Sequence, residues 1–259
     1  ALSEDSPTNQ GVYYISERVK DMVSNETVIL EFDAYAVNED QFTFHTNSGL
    51  PVSIRSKKDL TMRQLEEMKR IVNEADDNPI EHIDFDTFAD YYIVQELCQN
   101  GELNGPRSCF MHLLPNGKLA AGPVWDFDLA FITVGVDKGN DLRPMRKAGM
   151  DGVRLLTADS LYCNNALWYG RLLQDPTFAA HVKKRWQMLK PRFEKLTAFI
   201  DRMDQQISTH AEADQKRWNA LEPARFDTCT TYRSAVTTLR TNYVKRLEKL
   251  SAMPYFSLE

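Results

Sequence analysis

Residues 83–131 read IDFDTFADYYIVQELCQNGELNGPRSCFMHLLPNGKLAAGPVWDFDLAF, and the order of parts in this stretch decides the fold. In its first part Phe88, Tyr92, Gln95 and Leu97 are interleaved with Tyr91, Ile93 and Val94, which is too apolar all round for a surface helix. This pattern predicts a buried helix capped by Asp84 or Asp86 and stopped by Gly101 and the Gly105-Pro106 pair. A polar loop follows, carrying Glu102, Asn104 and Arg107. Residues 108–114 and 118–127 then flank Pro115-Asn116-Gly117. Asn-Gly between two strand-like runs is the strongest short-range hairpin signal, because both residues accept the positive φ that a tight turn demands. In an extended returning strand, Asp126 and Asp128 would share one face and Trp125 and Phe127 the other. Two carboxylates side by side repel unless something cationic sits between them.

Helix, acid loop, hairpin and terminal acids follow one another in the order that protein kinases use for the catalytic loop and the metal-holding DFG segment. The string ELCQNGELNGPRSCFMHLLPNGKLAAGPVWDFDLAF, residues 96–131, closely resembles the kinase-like spore-coat protein CotH family. Members of that family carry an N-x-D or N-x-E loop, a Tyr-rich strand and then P-W-D-x-D. GVYYISERVK at residues 11–20 resembles the family's upstream G-x-Y-x-x-x-E segment, and WYGRLLQDPTFAAHVKKRWQMLKPRF at residues 168–193 its C-terminal helical signature. Nearly the whole chain is covered. The glycine-rich and lysine-bearing strands that such proteins place earlier have no counterpart here, so the expectation is a variant with a truncated N-terminal lobe.

The resemblance implies an α+β, atypical protein-kinase-like fold in a single domain. Residues 1–60 form its β-rich part, 61–131 its helices and catalytic-type hairpin, 132–158 a loop, and 159–259 its helical part. It also implies ATP and Mg²⁺ as cofactors, with Asp126 and Asp128 as metal ligands and Glu102, together with Asp126, as the catalytic residues. Glu102 would orient or deprotonate an acceptor hydroxyl. Glu17, Arg107 and Asn104 become the candidates for contact with the cofactor. From spacing alone Glu17 reads as a surface charge at a strand end; only the resemblance raises it. Mg²⁺ favours one or two carboxylates with phosphate oxygens and water, which a D-x-D pair satisfies.

Two residues depart from the family pattern. Glu102 stands where many members have aspartate, and the extra methylene moves the carboxylate by roughly 1.5 Å, a displacement that can cost about 10²-fold in rate. Arg107 stands where kinases and many relatives keep an asparagine metal ligand. A guanidinium about 5 Å from Mg²⁺ is repelled by roughly 6 kcal/mol at an effective dielectric of 20, so Arg107 is no ligand and instead contacts phosphate or pairs with Glu102. A catalytically inactive kinase-like binding module therefore competes with phosphoryl transfer. In that version ion pairs between Arg107 and Glu102, and between the D-x-D pair and a lysine, merely fix the loop. A hydrolase acting on carbohydrate through Glu102 and Asp126 has the right residue types but no motif.

The rest of the chain bounds the function. With 259 residues, 42% hydrophobic and 26% charged, the composition is that of an ordinary folded protein, and no window is apolar enough to span a bilayer. The net charge of -6 argues against nucleic acid as a partner; a protein substrate or cell-envelope partner fits better. The resemblance implies a bacterial protein exported to the periplasm or cell surface, and the polar leader ALSEDSPTNQ is of the kind left by trimming or signal processing. Oligomeric state stays open. Cys98, Cys109, Cys163 and Cys229 contain no C-x-x-C pair and read as buried thiols, with one disulfide possible in an oxidising compartment.

Further expectations concern secondary structure. Residues 12–15, 27–32, 41–45 and 52–55 predict strands, the last two joined by a turn at Asn47-Ser48-Gly49. Residues 61–76 predict a helix with Thr61 as cap and Met62, Leu65, Met68 and Val72 along one face. Residues 133–157 lack periodicity and read as a functional loop, where Arg143, Arg146 and Lys147 would meet an acidic substrate, phosphates or only solvent. Helices then fill the remainder, with Asp175-Pro176 as an N-terminal signal and Pro191 as a kink or restart.

Overall fold

A computed structural model of the chain describes residues 12–19, 28–35, 42–55, 60–127, 130–131, 160–218 and 229–257. The fold is α+β, with an antiparallel sheet in the N-terminal half and a helical C-terminal half. Strands β1 (Ile29–Phe32), β2 (Thr43–His45), β3 (Pro51–Ile54), β4 (Cys109–Leu113) and β5 (Leu119–Ala121) lie in the order β2-β3-β1-β4-β5. β1 is central: Leu30 faces Ile54 on one side and Met111 on the other. All four of its residues are buried, so it reads as a continuous apolar run rather than an alternating one, and Arg55 neutralises the single exception, Glu31.

Residues 12–18, expected to begin with a strand, run extended and exposed, with Tyr14 91% and Ile15 92% accessible. No strand among the described residues pairs with them, and an unpaired edge gives alternating apolar residues nothing to pack on. The turn at residues 46–49 forms as expected, with Gly49 at φ +90° and its amide donating to the Thr46 carbonyl at 2.9 Å.

Helix α1 (Met62–Asp77) starts at Thr61, whose hydroxyl accepts from the Gln64 amide while Gln64 reaches back to the Thr61 amide. Its buried stripe is Leu65, Met68, Val72 and Ala75; Met62 lies a turn too early and is exposed. After α2 (Pro79–His82), α3 (Phe85–Leu97) is capped by Asp84, which accepts from the Thr87 amide at 2.9 Å. α3 is buried on nearly every side, as its composition requires, between β5 and the C-terminal helices.

Those helices are α4 (Tyr169–Leu172), α5 (Pro176–Glu194), α6 (Leu196–Trp218) and α7 (Tyr232–Ser251). Asp175 caps α5 through the amides of Thr177 and Phe178, with Pro176 in the first turn. α5 continues through Pro191 to Glu194, and the restart comes at Leu196. Phe178, Val182 and Trp186 face the core, while His181 and Arg185 bind Asp86 and Asp90 of α3. Aromatic rings fill the space between sheet and helices. Trp168 meets Phe32 edge-on at 5.7 Å and stacks on Phe88 at 6.1 Å, and Phe256 lies between Tyr92 and Trp186. Truncating any of these rings to alanine would cost about 3–5 kcal/mol.

Candidate functional site

The acid loop begins where α3 ends, and the helix is not stopped by glycine. Gln99 takes the left-handed conformation at φ +55°; its amide donates to Glu96 and the next amide, Asn100, to Gln95. This is the paired closure that usually employs glycine. Gly101 and Gly105-Pro106 lie beyond it. The Asn100 side chain then accepts from the Glu102 amide at 3.2 Å and starts a short 3-10 helix, Gly101–Asn104. Glu102 therefore sits in the first turn of a capped element, half-buried, directly after a buried helix.

After β4 the hairpin turns at Gly117, φ +82°, whose amide donates to Leu114. Its returning strand ends at Ala121, so the extended arm expected to reach residue 127 does not form. Gly122 at φ +108° and Asp126 at φ +56° break the alternation, and the argument that places residues 126 and 128 on one face of a strand fails with it. Asp126 is exposed, and its described partner is the Ser108 hydroxyl, 3.4 Å from its Oδ2. Ser108 is itself left-handed, at φ +49°. Two such residues in mutual contact, neither a glycine, are a local strain of the kind found at functional sites.

Asp33 directly follows β1. In the structure its Oδ1 accepts from the Tyr35 amide at 2.7 Å and its Oδ2 from the Ser108 amide at 3.4 Å, while the Ala34 amide donates to Pro106. Burial pushes the Cys109 thiol up to about 12; a backbone hydrogen bond from Arg107 opposes this, and the negative fields of Glu102 and Asp33 add to it. Asp33 holds the amide of the serine that touches Asp126, directly before β4. In the sequence Asp33 is marked only as an acid at the end of a mostly apolar strand.

Arg107 donates to the Tyr35 hydroxyl at 2.6 Å, with its guanidinium 4.6 Å from that ring's centre. Asn104 donates to the Tyr162 carbonyl at 2.7 Å, which ties the acid loop to the segment before α4. Glu17 is exposed on the extended segment 12–18, which is tied to α6 through the Val12 amide and Asp214, and among the described residues no hydrogen bond or ion pair joins Glu17 to the other candidates. Asp128, the loop with Arg143, Arg146 and Lys147, and the leader lie outside the described residues. The four cysteines are free thiols, Cys98 half-buried and the others buried.

Two buried acids anchor this arrangement. Glu96, at the end of α3, pairs with Arg246 of α7 at 2.9 Å, both wholly inaccessible, and accepts the amides of Tyr162 and Cys163. Burial pushes the Glu96 carboxyl above its ordinary value, against the pull of those amides and the guanidinium. Arg246 also donates to the carbonyls of Glu96 and Ser160. Asp76 at the end of α1 accepts from the Ser48 amide and hydroxyl and from the Trp168 indole at 2.8 Å. Burial raises its carboxyl, but those hydrogen bonds outweigh the burial and hold it below the usual carboxylate value.

The model of the CotH kinase protein family matches residues 5–250. The chain belongs to the CotH kinase family. Neither a curated protein nor a solved structure matches it. Membership implies use of ATP, and the donor chemistry fits a metal shared with a nucleotide. Among the described residues no group of three or more His, Cys, Asp or Glu is placed to hold a metal by itself. Mg²⁺, however, is commonly bound by one or two carboxylates completed by phosphate and water, and Asp126 offers one exposed carboxylate. No helix among the described residues is long and apolar enough to cross a membrane.

Proposed function

We propose that the chain transfers the terminal phosphoryl group of ATP to a hydroxyl of a protein at the cell envelope or outside the cell. The observation that carries this reading is the exposed Asp126 carboxylate on a left-handed backbone, met by the hydroxyl of Ser108, whose amide Asp33 holds directly before β4. ATP supplies the phosphoryl group and leaves as ADP, while Mg²⁺ neutralises charge on the phosphate oxygens. Asp126 would hold the metal together with Asp128, which the family resemblance names as its second carboxylate. Glu102 accepts the proton of the acceptor hydroxyl as its oxygen bonds to phosphorus and the bridging bond to ADP breaks. Its backbone is fixed by the Asn100 cap, so the longer side chain works from a defined origin.

The test is incubation with Mg²⁺ and ATP labelled at the γ-phosphorus, following label into protein and into free phosphate. Wild type should transfer label, and Glu102→Gln should lower the rate by about 10²-fold or more. Absence of both transfer and phosphate release from wild type contradicts the proposal. A non-catalytic binding module is the second reading, favoured by glutamate at 102 where many members of the family have aspartate. Nucleotide binding without any label transfer supports that version.

A further inference from the structure

We infer that Asp33 positions the metal carboxylate through Ser108, an inference that rests on the reading that Asp126 holds Mg²⁺. Asp33 belongs neither to the acid loop nor to the hairpin. It follows the central strand of the sheet, whose four residues are buried and paired on both sides, so its backbone origin is among the firmest points near the site. Its Oδ1 closes the strand end on the Tyr35 amide, and the Ala34 amide joins the Pro106 carbonyl. These contacts turn its Oδ2 toward the Ser108 amide.

Serine has no intrinsic preference for the left-handed region, so Ser108 needs an external hold to stay at φ +49°. In that conformation its hydroxyl meets Oδ2 of Asp126, itself at φ +56°. One oxygen of the metal carboxylate is thereby fixed by a donor, and the other has no described partner. Tyr35, whose amide Asp33 holds, receives the Arg107 side chain on its hydroxyl and ring face. Asp33 thus keeps a hydroxyl facing the metal carboxylate.

The test is an electron paramagnetic resonance titration of the ADP-loaded chain with Mn²⁺ as the metal probe, comparing wild type, Asp33→Asn, Ser108→Gly and Asp126→Asn. Asn at 33 still offers an oxygen to the Tyr35 amide but presents an amide donor to the Ser108 N–H, so it breaks the tether alone. Gly at 108 removes the hydroxyl and relieves the positive φ, so its melting temperature should stay level or rise. Both variants should bind Mn²⁺ about tenfold more weakly, the usual effect of losing a partner that orients a ligand. The apparent KM for Mg²⁺ should rise while kcat at saturating metal changes little. Wild-type Mn²⁺ affinity in both variants overturns this inference and leaves the role of Asp126 standing. If wild type binds no Mn²⁺, or Asp126→Asn binds it as tightly as wild type, the metal reading fails and this inference with it.

Discussion

Asp76 and Asp126 carry the same side chain in opposite circumstances. Asp76 is 2% accessible and accepts from an amide, a hydroxyl and an indole, supplied by the β2–β3 turn and by Trp168. Glu96 is equally enclosed by two amides and Arg246. Asp126 is exposed, with one hydroxyl 3.4 Å away as its described contact. A carboxylate surrounded by protein donors fastens elements together; a carboxylate with acceptor capacity to spare, held in a strained backbone, is arranged for something from outside.

The comparison predicts effects that separate stability from ligand response. The largest loss belongs to Arg246→Met, which leaves Glu96 buried without its cation and should lower stability by about 3–5 kcal/mol in urea unfolding. A loss below about 1 kcal/mol would mean that the pair does not hold α3 to α7. Asp76→Asn should cost about 2 kcal/mol, the value of hydrogen bonds to a charged group. Its pH dependence has a definite sign. The carboxyl is held low in the folded state, so the unfolded chain takes up the proton first, and the stabilisation is present above the unfolded value and lost as pH falls through the folded one. The gap between wild type and Asp76→Asn should be full above about pH 5 and narrow below about pH 4. The smallest stability change belongs to Asp126→Asn, within about 0.5 kcal/mol, because asparagine tolerates the left-handed region and still accepts from Ser108. An Asp126→Asn variant that unfolded readily would erase the distinction between the two aspartates.

Much of the scaffold was legible in the sequence. Thr61, Asp84 or Asp86, and Asp175-Pro176 announce three helix starts, and Asn116-Gly117 announces the hairpin, because each signal is local. What escaped was set by tertiary context. Gln99, Ser108 and Asp126 take positive φ without being glycine, and no propensity marks them. The alternation rule fails at Asp126 for that reason. Asp33 escaped because its role depends on residues 106–108, which reach it only once β1 and β4 have paired. The aromatic face that Arg107 packs on comes from residue 35, too distant in the chain to be paired with it by spacing.

The claim on which the account turns is that the Asp126 carboxylate is kept for a metal-bound nucleotide. Thermal unfolding of wild type and Asp126→Asn, with ATP in the presence and absence of Mg²⁺, tests it directly. At a ligand concentration 100 times Kd, binding adds about 2.7 kcal/mol, which for a chain of this size is a rise in Tm of about 5–10 °C. The account predicts that rise only for wild type and only with Mg²⁺. An equal rise in Asp126→Asn, or no rise in wild type at millimolar ATP and Mg²⁺, would contradict it.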